Sequence, residues 1–156
     1  MTISDTARYC GSVLYELANH FGEGLVLRPI LPKMQGIYLV NGRVPLYIKF
    51  SRSRKGPWTF NFHHEHQRAC QSLAEEYGDC ITVFVCGADG APAVNYLQLR
   101  EILDHNFDEQ EAVSVRRKLR HMYAISGKDG RLANRVGRGS LITLIEAALI
   151  DSEAPQ

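Results

Sequence analysis

The stretch Leu46-Tyr47-Ile48-Lys49-Phe50-Ser51-Arg52-Ser53-Arg54-Lys55-Gly56-Pro57-Trp58-Thr59-Phe60-Asn61-Phe62 decides how the chain folds, because its pattern changes twice along its length. Leu46, Ile48 and Phe50 alternate with Tyr47, Lys49 and Ser51, the period of a strand with one apolar face and one face carrying a phenol, an amine and a hydroxyl. Pro45 stands at its start, where a missing amide does least harm. Arg52 to Lys55 form a basic loop and Gly56-Pro57 a turn. Trp58, Phe60 and Phe62 then alternate with Thr59, Asn61 and His63, which predicts a second strand with a strongly buried face.

Toward the N-terminus, Ile37 to Val40 is a short apolar run ending at Asn41-Gly42, a type I′ hairpin signal that pairs it with the Leu46 strand. Leu25-Val26-Leu27 predicts another strand before Pro29 and Pro32. Cys10, Val13, Leu14, Leu17, Ala18 and Phe21 share one helical face, with Ser4 or Asp5 as cap and Gly22 or Gly24 as stop.

Toward the C-terminus, Ala69, Cys70, Leu73, Ala74 and Tyr77 place a helix over 64–77 that Gly78 ends. Ile81 to Cys86 is continuously apolar, as in a central strand covered on both faces. After the Gly87 to Gly90 turn and a short strand at Ala93-Val94, Asn95 and Gln98 form a capping box for a helix from Leu97 to Asp104. The acidic run Glu101 to Glu111 reads as a solvated connection. Val113 to Val115 and Tyr123 to Ile125 read as strands flanking Arg116 to Arg120, with a turn at Gly127 to Gly130. From Ser140 as cap to Ile150, apolar residues lie nearly all round a helix.

With 156 residues, 45% of them hydrophobic, the chain supports one ordinary core, and a single domain over 1–156 is expected. No apolar run reaches the ~18 residues that span a bilayer, and the N-terminus lacks a signal-peptide pattern, so a cytoplasmic protein is expected with no membrane partner. Cys10, Cys70, Cys80 and Cys86 show no Cys-x-x-Cys pair and fall in apolar patterns, which favours reduced core thiols. Nothing resembles a nucleophile elbow, and Gly137-Arg138-Gly139 is no phosphate loop, which argues against acyl transfer and nucleotide hydrolysis.

The order helix, strands, helix, central strand resembles the αβββαβ core of the restriction-endonuclease-like (PD-(D/E)xK) nuclease superfamily. The likeness covers about residues 5–105, and a strand-strand-helix extension follows over about 112–150. An α/β (α+β) fold with a mixed sheet is expected. In that family an acid on the second strand and an acid-x-Lys motif on the third hold divalent cations that activate water. Lys49 matches the family lysine, but Tyr47 stands where the carboxylate belongs, and Ile37 to Val40 holds no acid. A neutral phenol does not replace a carboxylate on Mg²⁺. Glu16 and Glu65 are the acids available to take over that catalytic role, and no cofactor is expected unless the chain is a Mg²⁺-dependent nuclease. The resemblance thus implies a degenerate active site that binds rather than cuts. The segments Lys49-Phe50-Ser51, Pro57-Trp58-Thr59-Phe60 and Cys86-Gly87-Ala88-Asp89-Gly90 also resemble small bacterial proteins without an assigned function.

The formal net charge of +1 hides an uneven distribution. Lys49, Arg52, Arg54 and Lys55 fall within seven residues without an acid, beside Trp58 and Phe60. Between Arg116 and Arg138, eight basic residues against Asp129 alone leave +7. The two blocks hold 12 of the 18 basic residues, so on one face they would make a strongly positive surface suited to phosphates. DNA or RNA is the expected partner, with Lys49, Arg52, Arg54 and Lys55 as first contacts and Arg116, Arg117, Lys118 and Arg120 as a second line. The plainer alternative for the loop is a solvated turn whose neighbouring rings are simply core. His63, His64 and His66 are assigned capping and surface roles, and no metal site is expected. The alternative is a protein-interaction subunit or homodimer using Leu141, Leu144, Ile145 and Leu149 of the last helix together with the acidic 101–111 segment.

Overall fold

A computed structural model describes residues 2–30, 34–107 and 110–153, with side chains described as far as residue 150. Helix α1 (Asp5–Phe21) opens at Ser4, whose hydroxyl accepts from the Ala7 N–H, and stops at Gly22 with φ 61°. Three antiparallel strands follow: β1 (Leu27–Pro29), β2 (Ile37–Val40) and β3 (Val44–Ser51). Asn41 and Gly42 both have positive φ, and the Arg43 N–H donates to the Val40 oxygen, as a type I′ turn requires. β1 begins two residues later than the apolar run suggests. Val26 instead exchanges hydrogen bonds with Asn41, its N–H donating to Asn41 Oδ1. Pro29 is tolerated because β1 is an edge strand.

After the basic loop come β4 (Trp58–Phe62), α2 (His64–Tyr77, ended by Gly78 at φ 91°) and β5 (Ile81–Cys86). β5 lies parallel to β3, with Lys49 beside Phe84 in the register. The remaining elements are β6 (Ala93–Val94), α3 (Tyr96–Ile102, with both halves of the Asn95/Gln98 capping box), β7 (Glu111–Arg116), β8 (Ala124–Gly127), β9 (Gly130–Arg131) and α4 (Ser140–Glu153). Two sheets result: a mixed one in the order β1-β2-β3-β5-β6 and an antiparallel one in the order β4-β7-β8-β9.

The fold is therefore mixed α/β, as expected, but the strands after residue 110 are no appendage. β4 leaves the first sheet and pairs along its whole length with β7, so the aromatic strand of the opening stretch belongs to the second sheet. Its alternation explains why: Trp58, Phe60 and Phe62 are all buried and need an apolar surface that the edge of the first sheet does not offer. They pack with Val113, Val115 and Phe84, and the ring centroids of Phe60 and Phe62 lie 4.9 and 6.2 Å from that of Phe84.

The first sheet is covered on both faces. Leu46, Ile48, Val83 and Val85 meet Cys10, Val13 and Leu17 of α1 and Leu141 and Ile145 of α4. On the opposite face Tyr47 packs with Cys70 and Leu73 of α2 and with Cys80. The polar face expected for β3 is thus largely buried. All four cysteines are free and buried, as their apolar settings predict.

Three local expectations change here. The apolar circumference of α4 reflects burial in its own domain: Leu141 and Ile145 are wholly inaccessible, while Leu144 and Leu149 are half-buried against the same cluster. Leu141 and Ile145 are not available to a partner. Ser140 Oγ does not cap α4 but accepts from the Ala93 N–H, tying the helix to β6. The acidic connection is likewise anchored, because Ile102, Leu103, Phe107 and Glu111 are buried. Asp108 and Glu109 lie outside the described residues. No described helix is long and apolar enough to cross a membrane.

Candidate nucleic-acid interface

The base of the basic loop is fixed by two hydrogen bonds. The Gly87 N–H donates to the Ser51 oxygen at 2.9 Å, and Trp58 Nε1–H donates to the Ser53 oxygen at 2.9 Å. Gly87 has φ 53°, and a Cβ there would collide with the Ser53 carbonyl, so no larger residue lets the loop approach the turn after β5. Arg54 and Lys55 are left exposed.

Asp89, in that same turn, anchors the second basic segment. Arg117 Nε and Nη2 donate to its two carboxylate oxygens at 2.7 and 2.5 Å, and the Tyr123 hydroxyl donates at 2.6 Å. These donors, Arg117 first, hold the Asp89 carboxyl down at about 2, and Arg117 is correspondingly pushed up. Burial first, and then the hydrogen bond to Asp89, raises the Tyr123 phenol to about 12. Tyr123 also exchanges two backbone hydrogen bonds of 2.8 Å with Val136, which brings the segment carrying Arg135 alongside.

The result is a cleft of about 820 Å³ lined by Arg54, Lys55, Gly56 and Pro57 of the loop, by Trp58 and Asp89, and by Arg116, Arg117, Lys118, Leu119, Met122, Ala124 and Arg135. The two basic blocks meet in it. Beyond the Arg117–Asp89 pair, five cationic side chains line the cleft and no further acid does. Leu119 is 80% and Met122 51% exposed, giving the cleft an apolar rim. Nothing in the spacing marks those two beforehand. Their only signal is that they are large apolar residues stranded among charges in a segment without periodicity.

Several expected contacts fall elsewhere. Arg117 is only 12% exposed and is consumed by Asp89, so it shapes the cleft rather than offering a free charge. Arg52 is exposed but pairs with Asp5 at 3.2 Å, outside the cleft. Arg120 lies in an adjoining depression with His121 and Arg138, and its φ of 67° is rare for a residue with a side chain. Lys128 and Arg131 lie at the opposite end of the second sheet, where β8 turns into β9 beside Gly127, the partner of Val113. The +7 block is therefore divided between the two ends of that sheet.

Lys49 occupies a separate, polar cleft of about 460 Å³. Its ammonium lies 4.4 Å from the centroid of Phe62, 5.0 Å from that of Tyr47 and 3.3 Å from His66 Nδ1. Burial lowers its pKa to about 8. The same burial, with the Lys49 charge next, lowers His66 to about 4, and Tyr47 is raised, so the phenol stays neutral. His66 is thus a cleft residue rather than the surface residue expected, and His63 stands at the N-cap of α2 without a side-chain cap bond. Of the two acids considered for a relocated catalytic carboxylate, Glu65 lines this cleft. Glu16 does not: it is exposed on α1, and α1 covers the opposite face of the sheet.

A third polar cluster comprises Asp104, Glu111 and Asp129, whose carboxylate oxygens lie within 4.8 Å of one another and which could hold a cation. Burial raises the Glu111 pKa, and Gln67 donates to it at 3.0 Å. No protein-family model, curated protein or solved structure matches the chain.

Proposed function

We propose that the protein is a nucleic-acid-binding module, without catalysis, whose contact surface is the cleft between the β3–β4 loop and the β7–β8 connection. The observation that carries this proposal is the convergence of Arg54 and Lys55 with Arg116, Lys118 and Arg135 around one cavity. Clustered, exposed cations of this kind gain affinity for a phosphate backbone by releasing its counterions. Leu119 and Met122 offer apolar contact to a base or sugar. The reading without cleavage is supported by Tyr47, a buried neutral phenol that cannot supply the anionic oxygen a divalent ion needs.

Fluorescence anisotropy with labelled single- and double-stranded DNA and RNA tests the proposal: affinity should fall log-linearly as salt rises. An intact protein that fails to bind any of these at low salt defeats it.

A metal-dependent nuclease is the second reading, supported by the presence of Glu65 in the Lys49 cleft. It requires cleavage that depends on Mg²⁺ or Mn²⁺ and is lost in Lys49→Ala.

A further inference from the structure

The Lys49 cleft has a chemistry of its own, independent of the basic cleft. An ammonium between two aromatic rings, with a neutral imidazole as its hydrogen-bond partner, differs from an ordinary surface lysine. None of the ion pairs among the described residues includes it. Lys49 nevertheless lines a cavity large enough for a small molecule, together with the polar residues Gln35, Thr59 and Asn61 and the acid Glu65, which makes no ion pair with Lys49 among the described residues.

We propose that Lys49 is a carbonyl-reactive amine, and that its cleft takes a small hydroxylated aldehyde as a reversible imine. The assignment rests on the position of Nζ beside His66 Nδ1 and over the Phe62 ring, in a residue that lines a polar cavity and has no ion-pairing carboxylate among the described residues.

The step balances without an oxidant or reductant. The neutral amine adds its electron pair to the carbonyl carbon, and the carbonyl π-pair moves to oxygen. His66 Nδ1 accepts a proton from the nitrogen and returns it to that oxygen. The oxygen departs as water after a second proton transfer from nitrogen, leaving C=N in place of C=O. Gln35, Thr59 and Asn61 are the groups that would hold the aldehyde's hydroxyls. Burial supports the assignment, because it lowers the lysine to about 8 and keeps His66 neutral at physiological pH.

The full chain has five lysines, Lys33, Lys49, Lys55, Lys118 and Lys128, which allows an internal competition. The chain is incubated with glyceraldehyde and cyanoborohydride near neutral pH, and labelling is followed by peptide mass spectrometry. Lys49 should be labelled at least about tenfold faster than each of the other four, since a far larger share of its amine is neutral. Labelling at Lys49 equal to or slower than the rest overturns the proposal, and no variant has to fold for that result. In folded His66→Gln, labelling at Lys49 should slow severalfold while the other four lysines keep their rates. An unchanged Lys49 rate removes His66 from the proton transfer.

Discussion

Lys49 and Lys55 lie six positions apart in one stretch of chain, yet they face opposite chemical problems. Lys55 sits in a loop, exposed, among other cations around an open cleft, where its charge is cheap to maintain and useful at a distance. Lys49 sits on a strand whose two faces are both covered, over aromatic rings and beside an imidazole, where burial disfavours its charge. The same residue type can therefore be a phosphate contact or a reactive amine, and the deciding variable is the layer of structure above it. For Lys49 that layer is α2 and the second sheet. For Lys55 it is water.

The strongest way to break this difference is to open the layer over Lys49. Phe84 packs against Phe60 and Phe62, and the Phe62 ring lies closer to the amine than the Tyr47 ring does. Phe84→Ala should cost about 3–5 kcal/mol of stability in chemical denaturation. It should also move the Lys49 pKa back toward that of an ordinary lysine, as followed by NMR of the side-chain amine. An unshifted pKa would mean that packing is not what lowers it.

A sharper test leaves the fold alone. Replacing Arg54, Lys55, Arg116 and Lys118 with Ala should reduce the slope of log affinity against log salt by about 3 to 4, whereas Lys49→Ala should leave that slope unchanged. Equal effects from the two variants would erase the division between the clefts.

The smallest effect is in pH dependence. Asp89 has a depressed pKa, so its contribution is complete above the ordinary carboxylate value near 3.8 and is lost as pH falls toward about 2. His66 is lowered from 6.5 to about 4, so the folded state binds fewer protons than the unfolded one between those values. Stability should therefore decline as pH falls through that window, and His66→Gln should flatten the decline there while leaving the Asp89 loss below pH 4 intact. Thermal melts across pH 2 to 7 separate the two.

The local alternations and caps were legible in the residues. β4, the hairpin turn at Asn41-Gly42, the capping box at Asn95 and the stop at Gly78 all follow from short-range chemistry. Partner choice for β4 was not legible, since period 2 says which face of a strand is buried and not which strand lies beside it. The same limit governed the site. Runs of Arg and Lys are visible in the sequence, but Arg117 pairs across 28 residues with Asp89, and Lys128 and Arg131 reach the other end of the sheet. The burial of Lys49 depends on Phe62, Tyr47 and His66 arriving from three elements. For α4, an apolar circumference fits a partner's surface or the chain's own core equally well until the β3–β5 face is in view.

That last arrangement also sets the order of events at the ribosome. Leu46 and Ile48 emerge some ninety residues before Leu141 and Ile145, which cover them, and β4 waits about fifty residues for β7. A nascent chain thus holds the apolar face of β3 under α1 alone until α4 emerges and leaves the aromatic edge of β4 unpaired until β7 emerges, windows in which holdase chaperones or premature association with another chain compete with folding.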